Sequence, residues 1–197
     1  MNMQDYCKDL LNRDDWVILD TETTGLDEYA ESCQIGILSP SGKVLLDTLV
    51  KPVRPIPSDA IRIHGITDKH VENAPTFHSL IPELSKLLTN KFIVVYNADY
   101  DRRILGQSSA IKNKLNATSE REARAWMSKF VFVDVMGPYA EYWGDWSEYH
   151  QSYTWQKLTY ACQQQGVPVT NEHSAIGDCK LTLALIRKIG GFVECPF

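Results

Sequence analysis

Apolar residues recur along this chain in two rhythms, and the changes of rhythm mark its elements. Met3, Tyr6, Cys7, Leu10 and Leu11 fall at helical spacing, which predicts a short amphipathic helix at the start. Trp16 to Leu19 is an unbroken apolar run that stops at Asp20, as a buried strand does. Further strands are predicted near Cys33 to Leu38 and Lys43 to Lys51, joined by the hairpin-like turn Ser39-Pro40-Ser41-Gly42. Pro52, Pro55 and Pro57 punctuate a loop. Phe77, Leu80, Leu84, Leu87 and Leu88 mark a helix with Pro82 in its early part. The strand Phe92 to Tyr96 leads into a helix through Asp101, Ile104 and Leu105. Residues 106–130 are polar and read as helix plus surface loop, ahead of a strand near Phe130 to Asp134. Helices over Trp155 to Gln165 and Ala175 to Ile189 follow, parted by Gly166-Val167-Pro168, and Gly190-Gly191 ends the last one.

Three strands, a hairpin among them, followed by alternating helices and strands predict an α/β fold: a mixed central sheet with helices on both faces. The chain's 197 residues suit a single domain over 1–197, without repeat or linker. Apolar stretches such as Leu181 to Ile186 are too short to span a bilayer, so no membrane partner is expected. Asp5, Lys8 and Asp9 interrupt the region where a signal peptide needs an apolar core. Cys7, Cys33, Cys162, Cys179 and Cys195 are odd in number and form no C-x-x-C pair, which argues against both a disulfide framework and a zinc site. These features predict a reduced, intracellular, cytoplasmic protein.

Candidate chemistry sits where apolar runs end. Asp20 and Glu22, two apart on a strand, point to one face, as a shared metal requires, although two solvated acids at a strand end fit that spacing equally well. Asp101 lies four residues after Asn97; with Asn97 as helix cap, Asp101 falls in the first turn, facing back to the strand end. His173 and Asp178 meet only if His173 sits in the loop before a helix and Asp178 inside it, with Asn171 and Ser174 as candidate caps. Carboxylates gathered at the ends of apolar elements are expensive to dehydrate unless neutralised, and hard divalent cations do this through oxygen ligands. Such an arrangement suggests two-metal phosphoryl chemistry. The formal net charge of −5 looks wrong for a nucleic-acid partner, but two divalent cations would bring the loaded protein close to neutral.

In this order, the three segments resemble the DEDDh subgroup of the DEDD superfamily of 3′–5′ exonucleases. D-x-E stands within Leu19 to Gly25, N-x-x-[FY]-D at Asn97 to Asp101, and H-x-A-x-x-D at His173 to Asp178, while Ile63-His64-Gly65-Ile66 is similar to the family's V-H-G-I. The likeness covers roughly residues 16–189. It implies a ribonuclease H-like fold and release of nucleoside 5′-monophosphates from single-stranded DNA or RNA 3′ ends. It implies Mg²⁺ or Mn²⁺, two ions per site: Asp20 bridging them, Glu22 and Asp178 completing the nucleophile-side ion, and Asp101, favoured over Asp99 by motif register, holding the second. It casts His173 as general base, a role suited to the ordinary histidine pKa of about 6.5. It points to Thr23, Thr24, Leu26, His64 and Asn97 as substrate contacts, though His64 serves equally well to hold its turn before Gly65. Gln34 departs from the glutamate common in relatives, and a neutral amide there is expected to order the sheet without touching the metal site. A polymerase-recruited proofreading or repair factor, or a non-catalytic nucleic-acid-binding module on the same fold, are the alternatives.

Two further segments bear on substrate choice. Tyr139, Tyr142, Trp143, Trp146, Tyr149, Tyr153 and Trp155 either stack on unpaired bases or pack together under a long connection. Tyr139, Tyr142, Trp143 and Trp146 sit at helical spacing, which favours packing. Lys112, Lys114, Arg121, Arg124 and Lys129 outnumber Glu120 and Glu122, and form either a phosphate contact or, more commonly, a solvated face.

Overall fold

The structure is a computed structural model that describes residues 2–111, 120–170 and 173–192. Five strands build the main sheet in the order β3-β2-β1-β4-β5: β1 Trp16–Thr23, β2 Ser32–Leu38, β3 Val44–Leu49, β4 Phe92–Val95 and β5 Val131–Asp134. The hairpin-linked β1, β2 and β3 are antiparallel, whereas β1, β4 and β5 run parallel, so the sheet is mixed as expected. Central β1 is walled on both faces, which is why its sequence reads as a continuous apolar run rather than an alternating one.

Alternate β1 side chains enter different cores. Trp16 and Ile18 join Leu38, Val94 and Val135 against α1 (Met3–Leu11), α7 (Met136–Trp143), α8 (Leu158–Gln164) and α9 (Ala175–Ile189). Val17 and Leu19 join Ile35, Ile37, Ile93 and Val95 against α4 (Phe77–Leu88), α5 (Ala98–Ala110) and α6 (Glu120–Met127).

The structure adds what the apolar pattern missed. Within the proline-punctuated loop, α2 (Ser58–His64) and α3 (Asp68–Val71) bury Ala60, Ile66 and Val71 with Cys33 and Ile56. Each is too short to display a helical repeat. The third cluster they form lies near the carboxyl end of β1, next to Thr23, through the contact of His64 with both Cys33 and the Thr23 carbonyl.

The aromatic segment corrects the packing expectation. Helix α7 stops at Gly144, whose φ of 82° is left-handed and suits glycine. Trp146 therefore leaves the helix and enters a two-stranded hairpin, β6 (Trp146–Ser147) paired with β7 (Ser152–Tyr153). Only Tyr139 is fully buried; Tyr142, Trp143, Trp146, Tyr149, Tyr153 and Trp155 are exposed. Helix α8 accordingly begins at Leu158 and not at Trp155.

Of the basic cluster, Arg121, Arg124 and Lys129 are exposed and Arg124 pairs with Glu120, while Lys112 and Lys114 fall outside the described residues. The described cysteines are buried and none of them is in a disulfide among the described residues; Cys195 and Asn171 also fall outside the described residues. Among those residues, no helix is long and apolar enough to cross a membrane.

One glycine sets how closely α9 lies on the sheet. Gly36, opposite Asp20 on β2, faces the start of α9 so closely that a Cβ would sit 2.7 Å from the Ala175 carbonyl carbon and 2.8 Å from the Ile176 nitrogen. Both are backbone atoms, so the helix itself would have to retreat. Gly36→Ala is expected to lose roughly 1–3 kcal/mol by overpacking, which at this size lowers Tm by about 2–4 °C per kcal/mol. A thermal melt checks this, and an unchanged Tm would show that α9 is free to shift.

Candidate active site

The carboxylates converge because β1 alternates to its end. Asp20 and Glu22 continue the even-numbered face of Trp16 and Ile18, and so project toward α9. Asp178 lies in the first turn of that helix. One carboxylate oxygen from each of Asp20, Glu22 and Asp178 lies within 4.8 Å of the others.

Helix α9 starts where it does for local reasons. Ser174 is its N-cap, its hydroxyl accepting from the Gly177 N–H at 3.2 Å. His173 lies just outside the helix with a left-handed φ of 65°, as the five-residue spacing to Asp178 required. It is exposed. Gln34, paired with Glu22 across β1 and β2, fastens this start: its Oε1 accepts from the Ala175 N–H at 3.2 Å and its Nε2 donates to Asp47 at 3.0 Å. The amide thus orders the sheet as expected, and also ties the sheet to the helix carrying Asp178.

Asp101 arrives from the other face. Thr21, odd-numbered on β1, points away from Asp20 and donates its hydroxyl to Asp101 Oδ1 at 2.7 Å. Asp101 is buried in the first turn of α5, whereas Asp99 is exposed and lines a separate cavity of about 630 Å³ with Arg102, Arg103 and Arg124. Motif register and burial therefore agree on Asp101. Asn97 occupies the N-cap position without a side-chain capping bond, contrary to expectation. Asp134, at the end of β5, takes over: its carboxylate accepts from the Ala98 N–H at 3.0 Å and from the Gly137 N–H at 2.6 Å, joining the starts of α5 and α7.

The expected substrate contacts surround a cavity of about 610 Å³ lined by Glu22, Thr23, Leu26, Ile63, His64 and Tyr100, with Thr24 and Asn97 also on its wall. Leu26 is 80% exposed and Ile63 61% exposed, so both present apolar surface at its mouth. Thr24 is committed to structure, its hydroxyl accepting from the Glu31 N–H at 2.9 Å. His64 holds its turn, Nδ1 accepting from the Ile66 N–H while Nε2 lies 3.2 Å from the Thr23 carbonyl, so it is the Nε2–H tautomer that satisfies both contacts. Burial pushes its pKa down, against the opposing hydrogen bond with the Thr23 carbonyl, and the charge of His173 adds to the lowering. Thr21, Tyr100, Ile63 and Asp134 escaped sequence reasoning. Tyr100 bridges Thr23 Oγ1 at 2.6 Å and the Gly25 carbonyl at 2.9 Å, and the motif itself held a signal for it, since an aromatic residue precedes Asp101 there.

The four acids strain one another electrostatically. Burial raises the Asp20 pKa well above the carboxylate range, reinforced by Asp101, Asp178 and Glu22 in that order. Burial, then Asp178 and Asp101, push Glu22 up to about 7. Asp101 is pushed up to about 7 by burial, against the opposing hydrogen bond from Thr21. Among the described residues no Lys or Arg forms an ion pair with Asp20 or Glu22. Three carboxylates, each with an oxygen within 4.8 Å of the others, are a donor set that fits a hard divalent cation.

Comparison with known proteins agrees with this geometry. The exonuclease family RNase_T matches residues 17–186. An uncharacterized exonuclease of Escherichia phage 186 is 38% identical over 179 residues, 88% of this chain and 87% of that protein. The DNA polymerase III epsilon subunit of Rickettsia felis is 32% identical over 101 residues, 48% of this chain and 44% of its own. Among solved structures, exonuclease X in complex with 5′ overhanging duplex DNA superimposes with a TM-score of 0.64 at 24% identity, covering 90% of this chain and 92% of that one. The zinc-bound form of an E. coli exonuclease I–single-stranded DNA complex gives a TM-score of 0.64 at 17% identity, covering 90% of this chain and 42% of that one. At these identities the structural likeness is one of fold.

The raised carboxylate pKa values have a signed consequence. Each group binds its proton more tightly folded than unfolded, so its contribution to stability is present below about pH 4 and is lost as pH rises through about 7. Metal-free protein is therefore expected to melt lower at pH 8 than at pH 5. Asp20→Asn should flatten that slope and melt above the unsubstituted protein at pH 8. Added Mn²⁺ should raise Tm more at pH 8 than at pH 5. Scanning calorimetry in EDTA and in Mn²⁺ measures all three, and a slope unaffected by Asp20→Asn would contradict the electrostatic account.

Proposed function

We infer the activity of this chain from its family: it belongs to the RNase_T exonucleases of the DEDD superfamily, and it is an exonuclease. The reading proposed here is a 3′–5′ exonuclease that hydrolyses single-stranded DNA or RNA ends to nucleoside 5′-monophosphates. The observation that carries it is the convergence of Asp20, Glu22 and Asp178 within 4.8 Å; Asp101, buried and bonded to Thr21, is outside that trio but close enough to act on Asp20 electrostatically.

In this reading Asp20, Glu22 and Asp178 hold one Mg²⁺ or Mn²⁺, and Asp20 with Asp101 holds a second. The bound ions supply positive charge where the attacking and leaving oxygens of the phosphodiester develop negative charge. The remaining roles belong to the chain. His173 takes a proton from the attacking water on an imidazole nitrogen; the water oxygen bonds to phosphorus as the P–O3′ bond breaks, the 3′ oxygen of the shortened strand takes up a proton from solvent, and the mononucleotide leaves with a 5′-phosphate. Leu26 and Ile63 receive the terminal base on apolar surface, and Thr23, held by Tyr100, shapes the floor beside Glu22. Thr21 keeps Asp101 directed at the site, and Gln34 keeps the start of α9 in register.

A polymerase-associated proofreading role is a second reading, favoured by the epsilon-subunit relative. A non-catalytic binding module on the same fold is disfavoured by the intact acids and histidine. Failure to bind Mn²⁺ in calorimetry would restore it.

With Mg²⁺, 5′-labelled DNA and RNA oligomers should shorten from the 3′ end and release 5′-mononucleotides. Shortening from the 5′ end, or full activity in EDTA, sinks the assignment. Asp20→Asn and Asp178→Asn should each cost at least about a thousandfold in rate, since each removes a ligand's charge. Asp99→Asn should cost far less than Asp101→Asn, and the reverse order would overturn the register.

Activity should climb between about pH 6 and 8, because a general base must be neutral to accept a proton. His173→Ala should flatten that limb and lose roughly a hundred- to ten-thousandfold in rate. The same variant should bind Mn²⁺ with near-normal affinity. Loss of metal binding would make His173 a ligand instead of a base.

A further inference from the structure

The aromatic hairpin is outside the acidic centre and has a composition of its own. From Glu141 to Lys157 the chain carries six aromatic residues and no aliphatic one. A large exposed apolar patch on a soluble protein marks an interaction site. Here the rings are held for contact: the hairpin is closed at its base by the Thr154 N–H donating to the Asp145 carbonyl at 2.7 Å. The directly opposed Trp146 and Tyr153 stack edge to face, 5.1 Å between centroids. Trp143 and Trp146 are each 44% exposed, Trp155 is 72% exposed at the foot and Tyr149 91% exposed in the turn.

The foot is attached to the catalytic end of the sheet. The Tyr96 hydroxyl donates to the Gln156 carbonyl at 2.7 Å. Tyr96 follows the last residue of β4 and stands next to Asn97, where the helix bearing Asp101 begins. Trp155 is therefore one residue from this anchor. At about 3.3 Å per strand residue, the turn at Gln151 reaches at most about 17 Å beyond it.

Composition and charge select the occupant. The rings are attached at the catalytic end of the sheet, within reach of a strand whose terminus lies at the acidic centre. Glu141, Asp145 and Glu148 outnumber Lys157, so the segment adds no attraction for backbone phosphates and its grip on a strand has to come from the rings. Unpaired bases remain, because every base has a π-face and stacking needs no positive charge.

We propose that the Trp143–Trp155 hairpin stacks on unpaired bases of the substrate strand, upstream of the terminal nucleotide held at the acidic centre. The proposal rests on the single-strand exonuclease reading and specifies how the strand is held. It makes the enzyme's grip on a strand depend on bases as well as phosphates. Strands too short to reach the hairpin lose that grip.

The test uses the whole protein in EDTA, where no strand is cut, with a labelled oligothymidylate and an abasic oligomer of equal length as probes. The oligothymidylate should quench tryptophan fluorescence and the abasic oligomer should not. Tyr149→Ala combined with Trp155→Ala, two rings that are largely exposed, should keep the normal Tm. The double variant should bind oligothymidylate about ten- to a hundredfold more weakly. That loss should be the same at low and high salt, since no phosphate contact is removed. Equal binding of the abasic oligomer, or unchanged affinity in the double variant, would overturn the proposal. So would a protein that sediments as a dimer and becomes monomeric in the variant, because the patch would then face a second copy. Quenching without exonuclease activity in Mg²⁺ would keep this inference and remove the catalytic one; activity without quenching would do the opposite.

Discussion

Like charges gathered in a poorly solvated place are the constraint on which this molecule turns. Burial raises the proton affinity of Asp20, Glu22 and Asp101, and the charges of Asp101, Asp178 and Glu22 raise that of Asp20 further. No side-chain cation relieves Asp20 or Glu22 among the described residues. The protein tolerates this because the acids sit where two apolar cores end. Below Asp20 the strand is fully buried from Trp16 to Leu19, and those cores stabilise the fold enough to hold the acids together. The site is thus electrostatically incomplete without cations, which is what makes it receptive to them.

The alternation of β1 divides the labour. Even positions send Asp20 and Glu22 toward α9, while Thr21 turns to the opposite face and catches Asp101. A strand that is central, and so covered on both sides, is the only kind that reaches helices on both faces at once. The remaining tolerances are set by small or neutral groups. Gly36 lets α9 approach within backbone contact, and Gln34 ties that helix to β2. Asp134 starts α5 and α7 together. Thr21, Gly36, Gln34 and Asp134 all lie outside the acidic cluster, yet each helps to position the segments that carry it.

The hairpin obeys a different physics. Its rings are attached to the catalytic end through Gln156 but surrounded by acids, so attraction to phosphate contributes little there. One part of the surface concentrates negative charge to hold cations, and the neighbouring part presents π-faces. On the proposed reading, a strand contacting both would be held at its backbone in one place and at its bases in the other.

Local sequence determined most of the elements, because strand runs and helical repeats are written in consecutive residues. It also determined the acids: Asp20 and Glu22 share a face by strand geometry alone, and Asp178 follows His173 at a spacing that only a loop-to-helix step satisfies. Only the tertiary structure decided how those segments meet. Thr21 finding Asp101, Asp134 replacing Asn97 as the effective cap of α5, and Gly36 admitting α9 all join residues 36 to 139 positions apart, and no local rhythm encodes such pairs. The exposure of Trp143, Trp146 and Trp155 was illegible for a related reason. Helical spacing told of burial, but Trp143 lies on the open side of α7, and the left-handed turn at Gly144 takes Trp146 and the residues after it off the helix and into solvent. Periodicity reports which residues can share a face; the packing of distant segments decides whether that face is covered.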